Sequence, residues 1–349
     1  MARIVVGLSG GVDSAAAAGL LQAEGHEVIG VTLRTWASGS SRCCKIDDAR
    51  ETARVLGIAY HAINCVSDFQ KDVEVPFLSE RLRGVTPNPC VACNRAVKWK
   101  WLLYAAELFQ ADAVATGHYA SVVRTEDGRY TVQAGADAKK DQSYMLCRLT
   151  QEQLQRTILP LGSRTKSEVR AIASRMTLPS AETPDSQELC FISEGHYADY
   201  LAERAALPER GDFVDERGAV LGTHGGVHRY TIGQRRGLGI ASSSKLYVNR
   251  IDPVTNTIVL GDAASLLRRK LHCSAAEWMG MAPPEAGSVL RARVQIRAHH
   301  TPVAGEIFCE TPEIVRIRFD EPVRAPAPGQ YAVFYDEEQR ILGSGVIES

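Results

Sequence analysis

Short apolar runs alternate with segments of helical periodicity in the first part of the chain. Ile4-Val5-Val6 predicts a buried strand, residues 15–21 predict a helix that ends near Gly25, and residues 26–33 alternate into a second strand. The pattern continues with a helix that Asp47 is expected to cap, which runs through Leu56 and is stopped by Gly57, and with a strand over 58–63. A helix over 95–109, a strand over 112–116 and a helix over 165–175, opened by the capping box Thr165-Lys166-Ser167-Glu168, follow. This alternation predicts an α/β fold with a doubly wound parallel sheet, in which ligands bind at the carboxyl ends of the strands.

From about residue 205 the apolar positions instead alternate with a period of two, between turns rich in Gly, Pro, Asp and Asn. This pattern predicts short strands over 229–232, 246–248, 257–260, 289–297, 314–319, 331–335 and 341–347. We therefore expect three domains: an α/β domain over 1–204, a small central β domain over 205–270 and a C-terminal β-barrel-like domain over 271–349.

Composition narrows the class of protein. The 349 residues carry a formal charge of −1, which neither favours nor excludes a nucleic-acid partner. The N-terminus does not resemble a secretory signal, and no apolar run approaches the roughly 18 residues that cross a bilayer, so we expect a cytoplasmic protein without a membrane partner. Nine cysteines in such a chain indicate reduced thiols rather than a disulfide framework.

A glycine-rich turn, Gly7-Leu8-Ser9-Gly10-Gly11-Val12-Asp13-Ser14, joins the first strand to the first helix. Its glycines allow a tight turn and the first N–H groups of the helix attract an anion, so the segment is typical of a phosphate cradle. The turn lacks the lysine of the G-x-x-x-x-G-K-[ST] loop, which argues against ordinary γ-phosphate chemistry. Asp13 is suited to hold Mg²⁺ against a bound phosphate chain, or alternatively to cap the helix.

Cysteines occur in two further motifs. The segment Thr86-Pro87-Asn88-Pro89-Cys90-Val91-Ala92-Cys93-Asn94-Arg95 places two of them at the mouth of a predicted helix, where the helix dipole lowers a thiol pKa. A C-x-x-C pair also serves zinc, iron–sulfur and thiol-redox sites, although we expect no structural zinc. In Asp185-Ser186-Gln187-Glu188-Leu189-Cys190-Phe191-Ile192 the cysteine opens an apolar segment and is either a packing thiol or a reactive one. The other cysteines carry no motif and are expected to pack or to be incidental: Cys43, Cys44, Cys65, Cys147, Cys273 and Cys309.

Basic and aromatic residues cluster around the C-x-x-C pair. We interpret Arg81, Arg83, Arg95, Lys98 and Lys100 as a candidate phosphate-binding patch, and we expect Trp99 and Trp101 to belong to the core. The run Arg268-Arg269-Lys270 is instead interpreted as a solvated face.

Several motifs together resemble one enzyme family. Ser9 to Ser14 resembles the S-G-G-x-D-S loop of the ATP pyrophosphatases, which adenylate a substrate and release pyrophosphate. Further motifs are T-P-N-P-x-x-x-C-N, D-S-Q-E-x-C-F-I, Ala115 to His118, Lys140 to Tyr144 and Tyr230 to Gly239. Together with the loop, they make the chain resemble the tRNA-specific 2-thiouridylases over essentially its whole length. Members of that family place sulfur at C2 of the wobble uridine of certain tRNAs, using ATP and a persulfide sulfur donor.

The resemblance implies a role for particular residues. Cys93 corresponds to the nucleophile of the family and Cys190 to the cysteine that carries the persulfide. Adenylation makes the C2 oxygen of uridine a leaving group, and sulfur then arrives either by direct attack of the persulfide or as hydrosulfide released by Cys93. The resemblance implies that ATP contacts Gly7, Leu8, Ser9, Gly10, Gly11, Val12, Asp13, Ser14, Leu33 and Gly117.

The same resemblance implies a tRNA surface and leaves one question open. The target base is expected near Asn88, Pro89 and Cys90, and the rest of the tRNA at His118, Lys140, Asp141, Gln142, Arg297 and Gln330. Many members have Asp where this chain has Cys90, so the general acid–base group is unassigned. Three thiolates, from Cys90, Cys93 and Cys190, suggest a [4Fe–4S] cluster with one open iron as an alternative sulfide carrier.

Two other functions compete with tRNA thiolation. One is a different ATP pyrophosphatase, namely a ligase that adds nitrogen. Such an enzyme would need an ammonia source, and its reaction would not use the paired thiols. A non-catalytic RNA-binding or iron–sulfur protein would not need the pyrophosphate loop. We therefore predict an ATP- and Mg²⁺-dependent tRNA sulfurtransferase that receives its sulfur from a cysteine desulfurase or a sulfur-relay protein.

Overall fold

The computed structural model describes residues 1–36, 45–184, 189–192 and 197–348. The pair Cys43-Cys44 and the Asp185 to Glu188 part of the third motif lie outside these residues. Within them, an N-terminal α/β domain is followed by a small β module and a closed β-barrel.

A five-stranded parallel sheet forms the centre of the N-terminal domain. Its strands run in the spatial order β3-β2-β1-β4-β7, and each neighbouring pair is parallel. The predicted doubly wound α/β fold is therefore confirmed. The strands are β1 (Arg3–Gly7), β2 (Glu27–Arg34), β3 (Ala59–Asn64), β4 (Ala113–Ala115) and β7 (Thr157–Ile158), and a separate antiparallel hairpin contains β5 (Ala120–Arg124) and β6 (Tyr130–Ala134).

Helices cover the sheet largely where the sequence predicts them. Gly57 ends the second helix in the left-handed conformation, with φ of 65°, and Thr165 and Glu168 form the predicted capping box of α8. The expected cap at Asp47 is wrong, because the helix begins one residue earlier and the N-cap position is Lys45, without a side-chain cap. These helices are α1 (Val12–Ala23), α2 (Ile46–Leu56), α6 (Trp99–Leu108), α7 (Gln151–Gln155) and α8 (Lys166–Arg175).

A helical insertion between β3 and α6 carries the C-x-x-C motif. The helix predicted to begin at residue 95 begins instead at Pro89, because the Asn88 side chain caps it and proline fits its first position. A π-helical turn, Asn94–Lys98, joins this short helix to α6. The insertion contains α3 (Val66–Phe69), α4 (Val75–Leu82) and α5 (Pro89–Cys93), and α9 (Tyr197–Ala202) follows the third motif.

The middle module has four strands in the order β10-β11-β8-β9. The strand predicted over 229–232 is wrong. A 3₁₀ turn occupies Val227–Arg229, and the Thr231 N–H donates to the Gln234 side chain instead of joining the sheet. The strands are β8 (Gly211–Val214), β9 (Val220–His224), β10 (Tyr247–Asp252) and β11 (Thr257–Gly261).

The C-terminal domain is an antiparallel barrel closed in the order β12-β15-β14-β13-β16-β17. The pattern of apolar positions did not predict β12 or β14. Arg268, Arg269 and Lys270 are exposed as expected, yet they lie within β12, whose apolar alternation begins only after them. The strands are β12 (Leu267–Trp278), β13 (Val289–Gln295), β14 (Val303–Thr311), β15 (Ile314–Arg324), β16 (Tyr331–Tyr335) and β17 (Ile341–Ile347).

Candidate active site at the glycine-rich loop and the paired cysteines

The glycine-rich loop turns at the carboxyl end of β1 and leads into α1. Gly10 adopts φ of +79°, a conformation that favours glycine. The Ser14 hydroxyl donates to the Gly11 carbonyl at 3.1 Å and accepts the Ser9 N–H at 3.1 Å. The loop is therefore held from within, and Gly11 at the N-cap has no side chain that would cover the first N–H groups of α1.

Asp13 is held by two residues from distant parts of the chain. The Lys166 ammonium lies 2.7 and 2.8 Å from its two carboxylate oxygens, and the Tyr119 hydroxyl donates to Oδ1 at 2.7 Å. The Lys166 side chain is 12% exposed, so this ion pair is largely shielded from water. Sequence reasoning used Lys166 only as part of a capping box, although a lysine on the first turn of a helix after a sheet strand was a usable signal.

Gly117 and Leu33 lie at the ends of the strands on either side of the loop. A Cβ atom on Gly117 would lie 2.5 Å from the backbone carbon of Asp13, so only glycine permits this approach. Leu33, near the end of β2, is half-buried and packs against both the sheet core and the cluster around the cysteines. The structure thus brings together the loop, Leu33 and Gly117, and their contact with ATP stays a prediction.

The two principal cysteines share one apolar cluster beside this loop. Cys93 is 5% exposed and packs with Phe69, Phe77 and Phe191, while the partly exposed Cys190 packs against the same cluster. Leu33 packs against it as well. The sequence separates these cysteines by almost a hundred residues, and only the fold places them in one cluster next to the strand ends.

Cys90 has a different environment from the one predicted. Burial raises the pKa of its thiol and outweighs the opposing effect of Lys98, so the group stays protonated at neutral pH. The expectation that the helix dipole lowers this thiol pKa is wrong for Cys90. The Asn88 side chain accepts the N–H groups of Cys90 and Val91 at 3.2 and 3.3 Å, which fixes the start of α5.

Thiols are not gathered into a metal centre in the part of the chain that the structure describes. No group of three His, Cys, Asp or Glu side chains is arranged there to hold a metal ion. Cys90, Cys93 and Cys190 are therefore not assembled as a cluster site, and the iron–sulfur hypothesis stays a prediction.

Apart from the segment expected at the target base, four of the predicted tRNA-contacting residues lie in the α/β domain and two in the barrel. His118 is half-buried beside Trp99, and desolvation lowers its pKa to about 3, so it is neutral at physiological pH. Asp141 accepts the N–H groups of Gly135 and Ser143, and the Gln142 side chain accepts that of Tyr119. These interactions give the segment after Lys140 a structural role whether or not it also meets RNA.

The remaining two lie on the barrel. Arg297 is exposed and donates to the Arg324 carbonyl at 3.1 Å. Gln330 donates to the Thr86 carbonyl at 2.8 Å, which ties the barrel to the residue before the Pro87-Asn88-Pro89 segment. Gln330 therefore lies at the junction with the cysteine-bearing insertion, whereas the hydrogen bond of Arg297 stays within the barrel.

The basic patch proposed around the C-x-x-C motif is wrong in part. Arg81 is buried and donates to internal acceptors, Arg95 pairs with Glu277, and Lys100 pairs with Asp68 at 3.0 Å. Trp99 is fully buried and donates to Thr157 at 2.6 Å, as expected for a core residue, whereas Trp101 is only partly buried and donates to Asp68. Among the described residues, no helix is long and apolar enough to span a membrane.

Comparison with known proteins gives the family. Three family models match consecutive parts of the chain: a tRNA methyl transferase HUP domain over residues 2–194, a tRNA methyl transferase PRC-barrel domain over 198–262 and an aminomethyltransferase β-barrel domain over 268–347. The tRNA-specific 2-thiouridylase MnmA of Syntrophotalea carbinolica is 44% identical over 99% of this chain and 98% of its own length. The MnmA of Moorella thermoacetica is 43% identical over 99% of both chains.

Among solved structures, NMN synthetase from Francisella tularensis is 18% identical, and the match covers 53% of this chain and 66% of the synthetase chain. Its TM-score of 0.34 is too low to inform function. The full-length similarity to MnmA is decisive by contrast, because it spans the loop, both cysteine motifs and the barrel together. The chain belongs to the tRNA-specific 2-thiouridylase family.

Proposed function

We propose that this enzyme adenylates the C2 oxygen of the wobble uridine of tRNA and replaces it with sulfur carried as a persulfide on Cys190. The observation that carries the proposal is that the glycine-rich loop follows β1 while Leu33, near the end of the neighbouring β2, packs against the cluster that contains Cys93 and Cys190. An enzyme that activates an oxygen and then exchanges it for sulfur requires both sites within reach of one base.

ATP would bind with its phosphates at the N-terminus of α1. The loop N–H groups and the hydroxyls of Ser9 and Ser14 suit a pyrophosphate leaving group, and the adenosine would lie between Leu33 and Gly117. Lys166 supplies a cation at the loop that offsets negative charge developing on the departing pyrophosphate. This residue takes the part that a loop lysine has in other phosphate-binding proteins.

Asp13 would hold Mg²⁺ that accompanies ATP. Its carboxylate is the kind of oxygen ligand that Mg²⁺ takes, and the side chain is one-third exposed, so an incoming ion can reach it. Bound Mg²⁺ would neutralise phosphate charge and polarise the bond to be broken. Lys166 and Tyr119 keep the carboxylate oriented towards the loop.

Sulfur transfer uses the two cysteines in sequence. The terminal sulfur of the Cys190 persulfide attacks C2, AMP leaves with its bonding electrons, and a C2–S–S–Cys190 linkage results. The Cys93 thiolate then attacks the Cys190 sulfur, which releases the thiocarbonyl and leaves a Cys93–Cys190 disulfide. In the alternative order, the Cys93 thiolate first attacks the Cys190 sulfur of the persulfide, and the terminal sulfur leaves as hydrosulfide. The hydrosulfide then attacks C2 and AMP leaves. Both orders end in the same disulfide, so an external thiol must reduce it.

An iron–sulfur cluster on Cys90, Cys93 and Cys190 is the competing sulfide carrier. The protonated state favoured at Cys90 and the absence of an assembled trio among the described side chains disfavour it. No step proposed here uses a cluster or requires Cys90 as a thiolate.

The direct test is reconstitution. The enzyme is incubated with unmodified tRNA, ATP, Mg²⁺ and a cysteine desulfurase, and the nucleosides are analysed by mass spectrometry together with AMP release. We expect 2-thiouridine from the unaltered enzyme, none from Cys190→Ser, and product from Cys65→Ala, a matched change in the same apolar cluster. AMP release without thiolated uridine in the unaltered enzyme would leave adenylation standing and contradict sulfur transfer.

A further inference from the structure

The middle module contains a segment whose charged residues are all basic. Between Arg217 and Ile251 the chain has six Lys and Arg residues and no Asp or Glu. The Tyr230 to Gly239 motif lies inside this segment, and none of the chemistry described above uses it. A region in which basic residues are not balanced by acidic ones attracts a polyanion.

Part of this segment forms an open groove of about 520 Å³. Arg235, the serines 242–244 and Lys245 line it, and Arg236 is exposed next to it. Within the described residues, Arg235, Arg236 and Lys245 make no ion pair, so their charges remain available to a ligand. The serine hydroxyls add neutral hydrogen-bond donors of the kind that contact phosphate oxygens.

The groove is built on a fixed loop. Gly237 and Gly239 have φ of +75° and +68°, and Leu238 between them is buried in the module core. The Gly233 N–H donates to the Val248 carbonyl at 2.8 Å, and the Val248 N–H donates to the Gln234 carbonyl at 2.9 Å. Since the loop is anchored to β10 and to the core, its basic side chains project from a framework that is already ordered.

The groove adjoins β10, and β10 contacts basic residues of the barrel. The Arg324 guanidinium lies over the Tyr247 ring, 4.9 Å from its centroid, and Arg268 donates to the Asn249 side chain at 2.9 Å. Arg297 in turn donates to the Arg324 carbonyl. The basic surface therefore continues from the groove across β10 to Arg297.

The same segment also reaches the cysteine-bearing insertion. The hydroxyls of Thr231 and Thr86 lie 3.4 Å apart, and Thr86 directly precedes the Pro87-Asn88-Pro89 segment where the target base is expected. An RNA bound along this surface would therefore pass the entrance to the active site.

We propose that this groove, lined by Arg235 and Lys245 and flanked by Arg236, binds the sugar–phosphate backbone of the tRNA substrate. The proposal rests on the proposed function, because it assigns a further part of the same substrate. Separate cations spaced along an open, hydroxyl-lined groove suit successive phosphates of a chain better than one small anion, which needs converging donors. Such contacts orient the tRNA without reading its sequence.

The test is the salt dependence of tRNA affinity in Arg235→Gln/Arg236→Gln/Lys245→Gln. Removing three phosphate contacts should make the negative slope of log association constant against log salt shallower by about 2 to 3. It should also weaken tRNA affinity at moderate salt about tenfold or more. Arg217 is an exposed arginine in the turn between β8 and β9, so Arg217→Gln is the matched control. It should change the slope by less than the loss of one phosphate contact would. The single variant Arg236→Gln should give about a third of the effect, which keeps the test valid if the triple variant unfolds.

Two results would overturn the proposal. An unchanged slope and affinity in both folded variants would remove the groove from the tRNA site. Unchanged tRNA binding with slower sulfur uptake from the desulfurase would assign it to an acidic protein partner instead. Failure of the proposed function is a separate result, since the unaltered enzyme would then bind tRNA without forming 2-thiouridine.

Discussion

Lys166 and Asp13 join the first turn of α8 to the first turn of α1 through an ion pair of 2.7 Å. The two residues are 153 positions apart in the chain. Their pairing places a cation beside the glycine-rich loop, which has no lysine of its own. The ion pair also compensates the negative charge of the Asp13 carboxylate.

Replacing Lys166 tests this arrangement. Lys166→Met should slow AMP and pyrophosphate release by about 100-fold, because a preorganised charge at the leaving group is lost, and Lys166→Arg should restore part of the rate. Pyrophosphate release in single-turnover reactions with saturating tRNA measures the effect. Lys139→Met, an exposed lysine nearby, should behave as the unaltered enzyme. Full pyrophosphate release by Lys166→Met would exclude Lys166 from adenylation.

Arg81 connects the insertion to the middle module and is expected to position the Pro87-Asn88-Pro89 segment. Its guanidinium donates to the His228 carbonyl at 2.7 Å, to Tyr197 at 2.5 Å and to the Thr86 hydroxyl at 3.3 Å. Arg81→Ala leaves these buried acceptors unpaired, so the free energy of unfolding should fall by about 3 kcal/mol.

A purely structural role would predict no change in turnover of the folded enzyme. We expect instead that kcat at saturating tRNA falls about tenfold in Arg81→Lys while the Kd for ATP is unchanged, since misplacement of the base affects the chemical step. Arg83→Ala, on an exposed neighbour, provides the control. Equal kcat in Arg81→Lys and the unaltered enzyme would limit Arg81 to stability.

Cys90 distinguishes the persulfide route from the cluster route. Because burial keeps this thiol protonated, Cys90→Ser should retain most of the thiolation activity, whereas Cys93→Ser and Cys190→Ser should lose at least about 100-fold. Iron and sulfide are quantified after anaerobic purification, and activity is measured in protein from which iron has been removed. Activity that requires bound iron and is lost in Cys90→Ser would establish the cluster instead.

His228 makes stability depend on pH in the acidic range. Desolvation, followed by the charges of Arg229 and Arg81, lowers its pKa from 6.5 to about 4, so the folded protein favours neutral imidazole. Between about pH 6.5 and 4 the unfolded chain binds the proton and the folded protein does not, so this contribution to stability decreases as the pH falls. His228→Gln should flatten the dependence of the urea midpoint on pH, and His299→Gln, at an exposed position, should not. Identical pH dependence in His228→Gln would contradict this assignment.

Local sequence determined the parts of this protein that depend on local physics. The apolar runs around Ile4 and Val114 gave the parallel sheet, Gly57 gave a helix end, and Thr165 gave a capping box. The motifs were sufficient to indicate the family, because each combines residue types whose chemistry is needed at fixed short spacing. Among the strands that the pattern did not predict, β12 begins with four exposed positions, so its apolar alternation starts only at Leu271.

Which distant groups meet, and which charges are buried, depends on the packing of the whole chain. Lys166 reaches Asp13, and Cys190 joins the cluster of Cys93, through packing between elements far apart in the chain. Arg81 looked like a phosphate ligand in the sequence, yet the fold buries it among carbonyl and hydroxyl acceptors. Burial likewise raised the pKa of Cys90, where helix position alone predicted the opposite. Desolvation and long-range pairing depend on the complete fold, so no local pattern in the sequence specifies them.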